Sequence, residues 1–131
     1  YRLPSQAEWE YVARAKTTTP FSFGEQLDRE QARWRGEEIG TADSGAFPAN
    51  AFKVHAMHGN AWEITADCWS PDLTQVPEDG RPVGIAGDCS RYVIKGGGWD
   101  SEIDKLRSAA RANIGENDAS PSISFRIVRV M

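Results

Sequence analysis

Long apolar runs are missing from this 131-residue sequence: charge, glycine or proline interrupts every hydrophobic stretch well before the roughly 20 residues a membrane-spanning helix needs. Basic excess is missing too. Fifteen Lys and Arg stand against 19 Asp and Glu, a net charge of −4, which argues against a nucleic-acid surface with its usual basic face. No basic segment followed by an apolar one opens the chain, so no signal peptide is visible. The chain starts at Tyr1 without a methionine, so this absence leaves the compartment open. Cysteine is scarce: Cys68 and Cys89 allow a single pair. A disulfide across that span would add about 3 kcal/mol, and two buried free thiols are the other reading. Only two histidines occur, His55 and His58, three apart near a turn; they read as surface or turn residues rather than half of a metal site.

What the chain has is aromatic mass and punctuation. Five Trp, 5 Phe and 3 Tyr accompany 12 Gly and 7 Pro, the inventory of a loop-rich single domain whose core is pinned by large rings. One helix is expected over about residues 6–15. Ser5, after Pro4 and three residues before Glu8, forms a capping box, and Ala7, Tyr11, Val12 and Ala15 recur at helical spacing. The Thr17-Thr18-Thr19-Pro20 run ends it. Residues 27–34 suggest a second, shorter helical turn, and residues 36–50 read as loop. Alternation predicts strands where Trp62, Ile64 and Ala66 interleave with Glu63, Thr65 and Asp67, where Tyr92-Val93-Ile94 runs into Gly96-Gly97-Gly98-Trp99, and where Ile123, Phe125 and Ile127 interleave with Ser124 and Arg126. The intervals 70–90, 100–106 and 112–122 are expected to be long polar loops, the kind that carry function.

Three features have a bland reading beside a sharp one. The Gly96-Gly97-Gly98 triplet lacks the strand–GxxxxGK–helix setting of a phosphate cradle and fits close backbone packing instead. Arg107 and Arg111, four apart in an expected strand, would share a face and could contact an anion or a substrate backbone; loop-bracing arginines are the alternative. Gly59-Asn60-Ala61-Trp62-Glu63 reads as a tight turn feeding a buried strand, with Trp62 entering the core and Glu63 pointing the other way.

Several motifs in this order resemble one family. Arg2-Leu3-Pro4-Ser5-Gln6-Ala7-Glu8-Trp9-Glu10-Tyr11 is similar to the helix-opening motif of the formylglycine-generating enzyme and its relatives. Phe21-Ser22-Phe23-Gly24 stands where that family has a Tyr/Phe-Pro-Trp-Gly turn. Phe47-Pro48-Ala49-Asn50-Ala51-Phe52 and Met57-His58-Gly59-Asn60-Ala61-Trp62-Glu63 resemble its central signature. Lys95-Gly96-Gly97-Gly98-Trp99, Leu106-Arg107-Ser108-Ala109-Ala110-Arg111 and Ser124-Phe125-Arg126-Ile127-Val128-Arg129 complete the series. Each is weak alone; their order across nearly the whole chain is specific.

The resemblance implies an α+β, C-type-lectin-like fold: small twisted antiparallel sheets, one or two helices and much ordered loop. It implies a sequence upstream of the Arg-Leu-Pro motif and a place within a larger bacterial protein. It also implies two metals that the residues here serve poorly. Family calcium is held by backbone carbonyls matching Gly59 and Ala61 and the carboxylate matching Glu63, but a side-chain oxygen is normally supplied where Ala56 stands. A second calcium site has Asn where Arg33 stands. Because calcium takes about six to eight oxygens, a degraded, weak site is expected; otherwise Glu63 would accept hydrogen bonds from backbone or tryptophan. Catalytic relatives hold copper with two cysteines between the Gly-Gly-Ser-Trp/Tyr element and the Arg-x-Ala-x-Arg strand. Soft thiolates suit Cu(I), and Asp100-Ser101-Glu102-Ile103-Asp104-Lys105 has none, so copper is not expected. Cys68 and Cys89 resemble the structural-disulfide pair of some relatives, which favours a periplasmic or extracellular location.

The resulting expectation is a non-catalytic module for a protein or small-ligand partner. Its candidate surface is Trp99, Asp100, Ser101, Glu102, Asp104, Arg107, Arg111, Asn113 and Glu116. The alternatives are an oxidase of the formylglycine type with unusual ligands, a partner domain of a sulfoxide synthase, or a structural remnant with no ligand. Neither nucleic acid nor membrane insertion is expected.

Overall fold

A computed structural model describes residues 1–85 and 87–131. Helix α1, Gln6–Arg14, begins as the capping box dictates: the Ser5 hydroxyl accepts from the Glu8 amide at 3.1 Å and the Glu8 carboxylate accepts from the Ser5 amide at 2.9 Å. Arg2 clamps that carboxylate with two bonds of 2.7 Å and holds it well below the usual carboxylate range. The helix stops one residue earlier than expected because Ala15 turns left-handed (φ 47°) and its N–H returns to the Tyr11 carbonyl. Its buried stripe is Gln6, Trp9 and Ala13, whereas Tyr11, counted among the apolar positions, is 65% exposed.

Four strands form one mixed sheet in the order β3-β2-β1-β4: β1 Trp62–Cys68, β2 Arg91–Lys95, β3 Ala112–Gly115 and β4 Ile123–Ser124. β1 runs antiparallel to β2, β2 antiparallel to β3, and β1 parallel to β4. Between Ile64 and Cys68 the register with β2 slips; there the Thr65 hydroxyl donates to the Val93 carbonyl at 3.0 Å. No helix among the described residues is long and apolar enough to cross a membrane.

Several sequence expectations need correction. Residues 27–34 hold turns rather than a helix: Gln31 closes onto the Asp28 carbonyl, which lets Leu27 and Ala32 pack with Phe21 and Leu106. Residues 112–122 are not all loop, because β3 borrows its order from pairing with β2. Residues 107–111 are not a strand: after a short 3-10 turn, Ile103–Leu106, the chain folds tightly, so the shared face argued for Arg107 and Arg111 does not exist. The last strand shrinks to Ile123–Ser124, and Val128 instead exchanges two hydrogen bonds with Arg2, tying the chain ends together.

The strand β1 is buried on both faces. Its apolar side, Trp62 and Ile64, packs with Ile94, Ile114, Tyr92 and Ile123. Its polar side, Glu63, Thr65 and Asp67, lies beneath α1 and is as well covered, with Thr65 and Asp67 fully buried. Asp67 accepts from the Gln6 amide (2.7 Å), the Gln6 side chain (3.0 Å) and the Val83 amide (2.9 Å), placing a carboxylate at the helix N-terminus. Lys95, also buried, pairs with Glu10 at 3.3 Å and lies 5.5 Å from the Trp9 ring centre; burial lowers its pKa and Glu10 opposes that.

Candidate functional site

The glycine triplet sets the geometry from which the candidate surface departs. A Cβ on Gly96 would meet the Trp9 ring at 2.9 Å and one on Gly97 the Leu106 side chain at 2.6 Å, so the triplet serves close packing. The chain then turns outward. Trp99 donates its amide to the Asn60 carbonyl at 2.9 Å, and the Ser101 hydroxyl accepts from the Gly98 amide at 2.9 Å. The Ser101 carbonyl accepts from the Arg35 amide at 2.9 Å, and the Arg35 guanidinium pairs with Glu102 at 3.0 Å. Trp99, Asp100, Arg35 and Gly36 border a cleft of about 380 Å³. The indole N–H of Trp99 is buried and has no partner among the described residues.

The remaining candidates lie elsewhere. Asp104 and Arg107 border a second cleft with Pro20, Phe21 and Leu27, and the Arg107 Nε donates to the Asp104 carbonyl at 2.8 Å. Arg111 braces the interior: its guanidinium lies 4.7 Å from the Trp69 ring centre and bonds the Gln6 side chain and the Ser70 carbonyl. Asn113 on β3 accepts from Arg91, and the Glu116 amide donates to the Ser90 carbonyl. Trp99, Asp100, Ser101 and Glu102 therefore form one surface, completed by Arg35, which the sequence reading did not single out. No motif marks Arg35; only the fold brings it there.

His55 is exposed, with Nδ1 2.7 Å from the Phe47 carbonyl. His58 corrects the surface reading. It is 3% exposed, its Nδ1 lies 2.7 Å from the Leu106 carbonyl, and its Nε2 accepts from the Ser22 amide at 3.1 Å. With both ring nitrogens engaged, the neutral tautomer protonated on Nδ1 fits, and burial lowers its pKa.

Of the metal-linked residues, Gly59 and Glu63 accept hydrogen bonds within the protein. The Gly59 carbonyl accepts from the Ala61 amide at 2.9 Å, and a Cβ on Gly59 (φ 78°) would run into the Arg33 carbonyl. Arg33 itself pairs with Glu38 and donates to the Gly40 carbonyl at 3.0 Å. Glu63 accepts from the Trp9 indole at 2.7 Å, as its hydrogen-bonded reading anticipates, and also from Arg126, which stands in the last of the family-like motifs but had no role assigned to it there. Cys68 and Cys89 form a disulfide with Cα atoms 5.2 Å apart, which resolves the choice between bridge and free thiols. The 100–105 segment offers carboxylates, a hydroxyl and an amine, a donor set that does not suit Cu(I).

Residues 1–131 match the family described as the sulfatase-modifying factor enzyme 1-like domain. The formylglycine-generating enzyme of Mycobacterium tuberculosis is 31% identical over 97% of this chain and 50% of its own length. The serine/threonine-protein kinase pkn1 of Chlamydia caviae is 30% identical over 98% of this chain and 21% of its own. Among solved structures, PvdO from Pseudomonas aeruginosa superposes with a TM-score of 0.85 at 34% identity, covering 95% of this chain and 50% of that one. This chain thus spans about half the length of some relatives and a fifth of another. It belongs to the formylglycine-generating-enzyme-like, sulfatase-modifying-factor family and has that family's C-type-lectin-like fold.

Proposed function

We propose that this domain is a non-catalytic binding module, presenting the Trp99–Glu102 surface to a protein or small-ligand partner of the larger protein to which it belongs. The observation that carries this reading is the fate of the thiols. The segment where the resemblance places two copper-binding cysteines has none, and the two cysteines present are bonded to each other. A hydroxyl such as that of Ser101 is a poor Cu(I) ligand and is already turned onto the Gly98 amide. Support for binding comes from the cleft where the half-buried Trp99 and the exposed Asp100 lie side by side with Arg35 and Gly36. The disulfide supports a periplasmic or extracellular setting.

The test is copper-dependent oxidation of a peptide bearing Cys-x-Pro-x-Arg by the full-length protein, scored by mass for formylglycine. The expected result is no product and no stoichiometric Cu(I) binding. Turnover would overturn the reading and show that other residues replace the missing thiols.

A further inference from the structure

The start of β1, residues 55–56 and the C-terminal segment converge on one guanidinium. Arg126 donates from Nε to Glu63 Oε2 at 2.5 Å and from Nη2 to Glu63 Oε1 at 2.7 Å. The same Nη2 approaches the carbonyls of His55 at 3.1 Å and Ala56 at 3.4 Å. Two carboxylate oxygens and two peptide oxygens therefore surround a single positive group. Carboxylate plus backbone carbonyl is the donor set of a hard divalent cation, yet here a side chain of the protein fills it.

The surroundings leave little for a metal. Glu63 is 7% exposed, and Trp9 takes a further share of Oε2 at 2.7 Å, so its oxygens already accept three N–H groups. The Gly59 carbonyl already accepts from the Ala61 amide, which takes one of its two lone pairs, and Ala56 has no side-chain oxygen to offer. A dication at Glu63 would either displace Arg126 or sit beside its charge in a largely buried setting. We propose that Arg126 is the domain's built-in cation: it replaces calcium as the counter-ion of Glu63, so that the junction of the β1 start, residues 55–56 and the C-terminal segment holds without divalent metal.

The test follows the melting of the intact protein in EDTA and in about 10 mM calcium. The wild type is expected to melt at the same temperature in both and to give no tryptophan-sensitised terbium luminescence; a calcium-dependent shift or a terbium signal abolished by Glu63→Gln would overturn the proposal. Arg126→Ala strands a buried carboxylate and is expected to melt roughly 5–10 °C lower in EDTA. It should regain about 5 °C in calcium, as a millimolar-affinity oxygen site would give, or in low-millimolar methylguanidinium, but not in sodium chloride of equal ionic strength. The double variant Arg126→Ala with Glu63→Gln should lose that response. If Arg126→Ala folds only with an added cation, recovery of folded protein under the same four conditions reads the same property. A variant unresponsive to both calcium and methylguanidinium would reduce Arg126 to an ordinary ion-pair partner and overturn the proposal.

Discussion

Trp9 does two kinds of work in one side chain: its ring is 1% exposed against Ala13 and Met57, while its indole N–H ends on a carboxylate beneath the helix. Buried polar residues of this sort are where pH acts. His58 is held neutral, because burial lowers its pKa below the ordinary value of 6.5. The unfolded chain takes up a proton below about pH 6.5 before the folded chain does, so the His58 contribution is complete above that pH and is lost as pH falls through the window beneath it. Melting followed by tryptophan fluorescence is expected to drop between pH 7 and 5, with His58→Gln flattening the slope and His55→Gln retaining it; equal slopes in all three proteins would count against this. His58 also marks a limit of reading residues in isolation. Three positions from His55 and beside a glycine, it has the local sequence of a turn histidine. Its burial comes from Leu106 and Ser22, 48 and 36 residues away.

At the scale of elements, the start of α1 is legible because every participant lies within seven residues, Arg2 to Glu8, and the chemistry is local. Ser5 adds one distant bond, its hydroxyl donating to the Gly80 carbonyl at 2.5 Å. Ser5→Ala is therefore expected to cost about 2 kcal/mol, the upper part of the range for a lost cap, measured by urea unfolding; a loss below about 0.5 kcal/mol would mean that neither bond matters. β1 was legible as a strand but not in its setting. Its polar residues alternate as a solvent-facing set would, yet they are buried against α1 with partners as distant as Trp9 and Arg126. β3 was not legible at all. Ala112-Asn113-Ile114-Gly115 has one strong strand former among four residues, and its order comes from pairing Ala112 through Gly115 with Ile94 through Arg91. The surface around Trp99 was half legible: its own segment follows the glycine triplet in sequence, while Arg35 reaches it only through the fold.

At the scale of the molecule, the apolar side chains of the described residues gather in three small clusters rather than one large core. Covalent and end-to-end ties matter more in such a body. Reducing the Cys68–Cys89 bridge, or replacing both residues with Ala, frees a 21-residue separation and is expected to cost about 3 kcal/mol, read as a lower urea midpoint; an unchanged midpoint would show that the loop is held by its hydrogen bonds alone. Those bonds include the Cys68 amide to the Val83 carbonyl, the Val83 amide to Asp67 and the Trp69 amide to the Arg91 carbonyl, besides the Ser5 hydroxyl on Gly80 and the Arg111 guanidinium on Ser70. They and the disulfide pin both feet of the excursion, while residues 71–75 stand exposed between them. Lengthening a flexible loop whose ends are already fixed costs only about 0.6 kcal/mol per doubling. The tip at 71–75 is thus a natural port for grafting: a foreign epitope or recognition peptide inserted there would be displayed on a closed stalk, leaving helix, sheet and the Arg126 junction to fold as before.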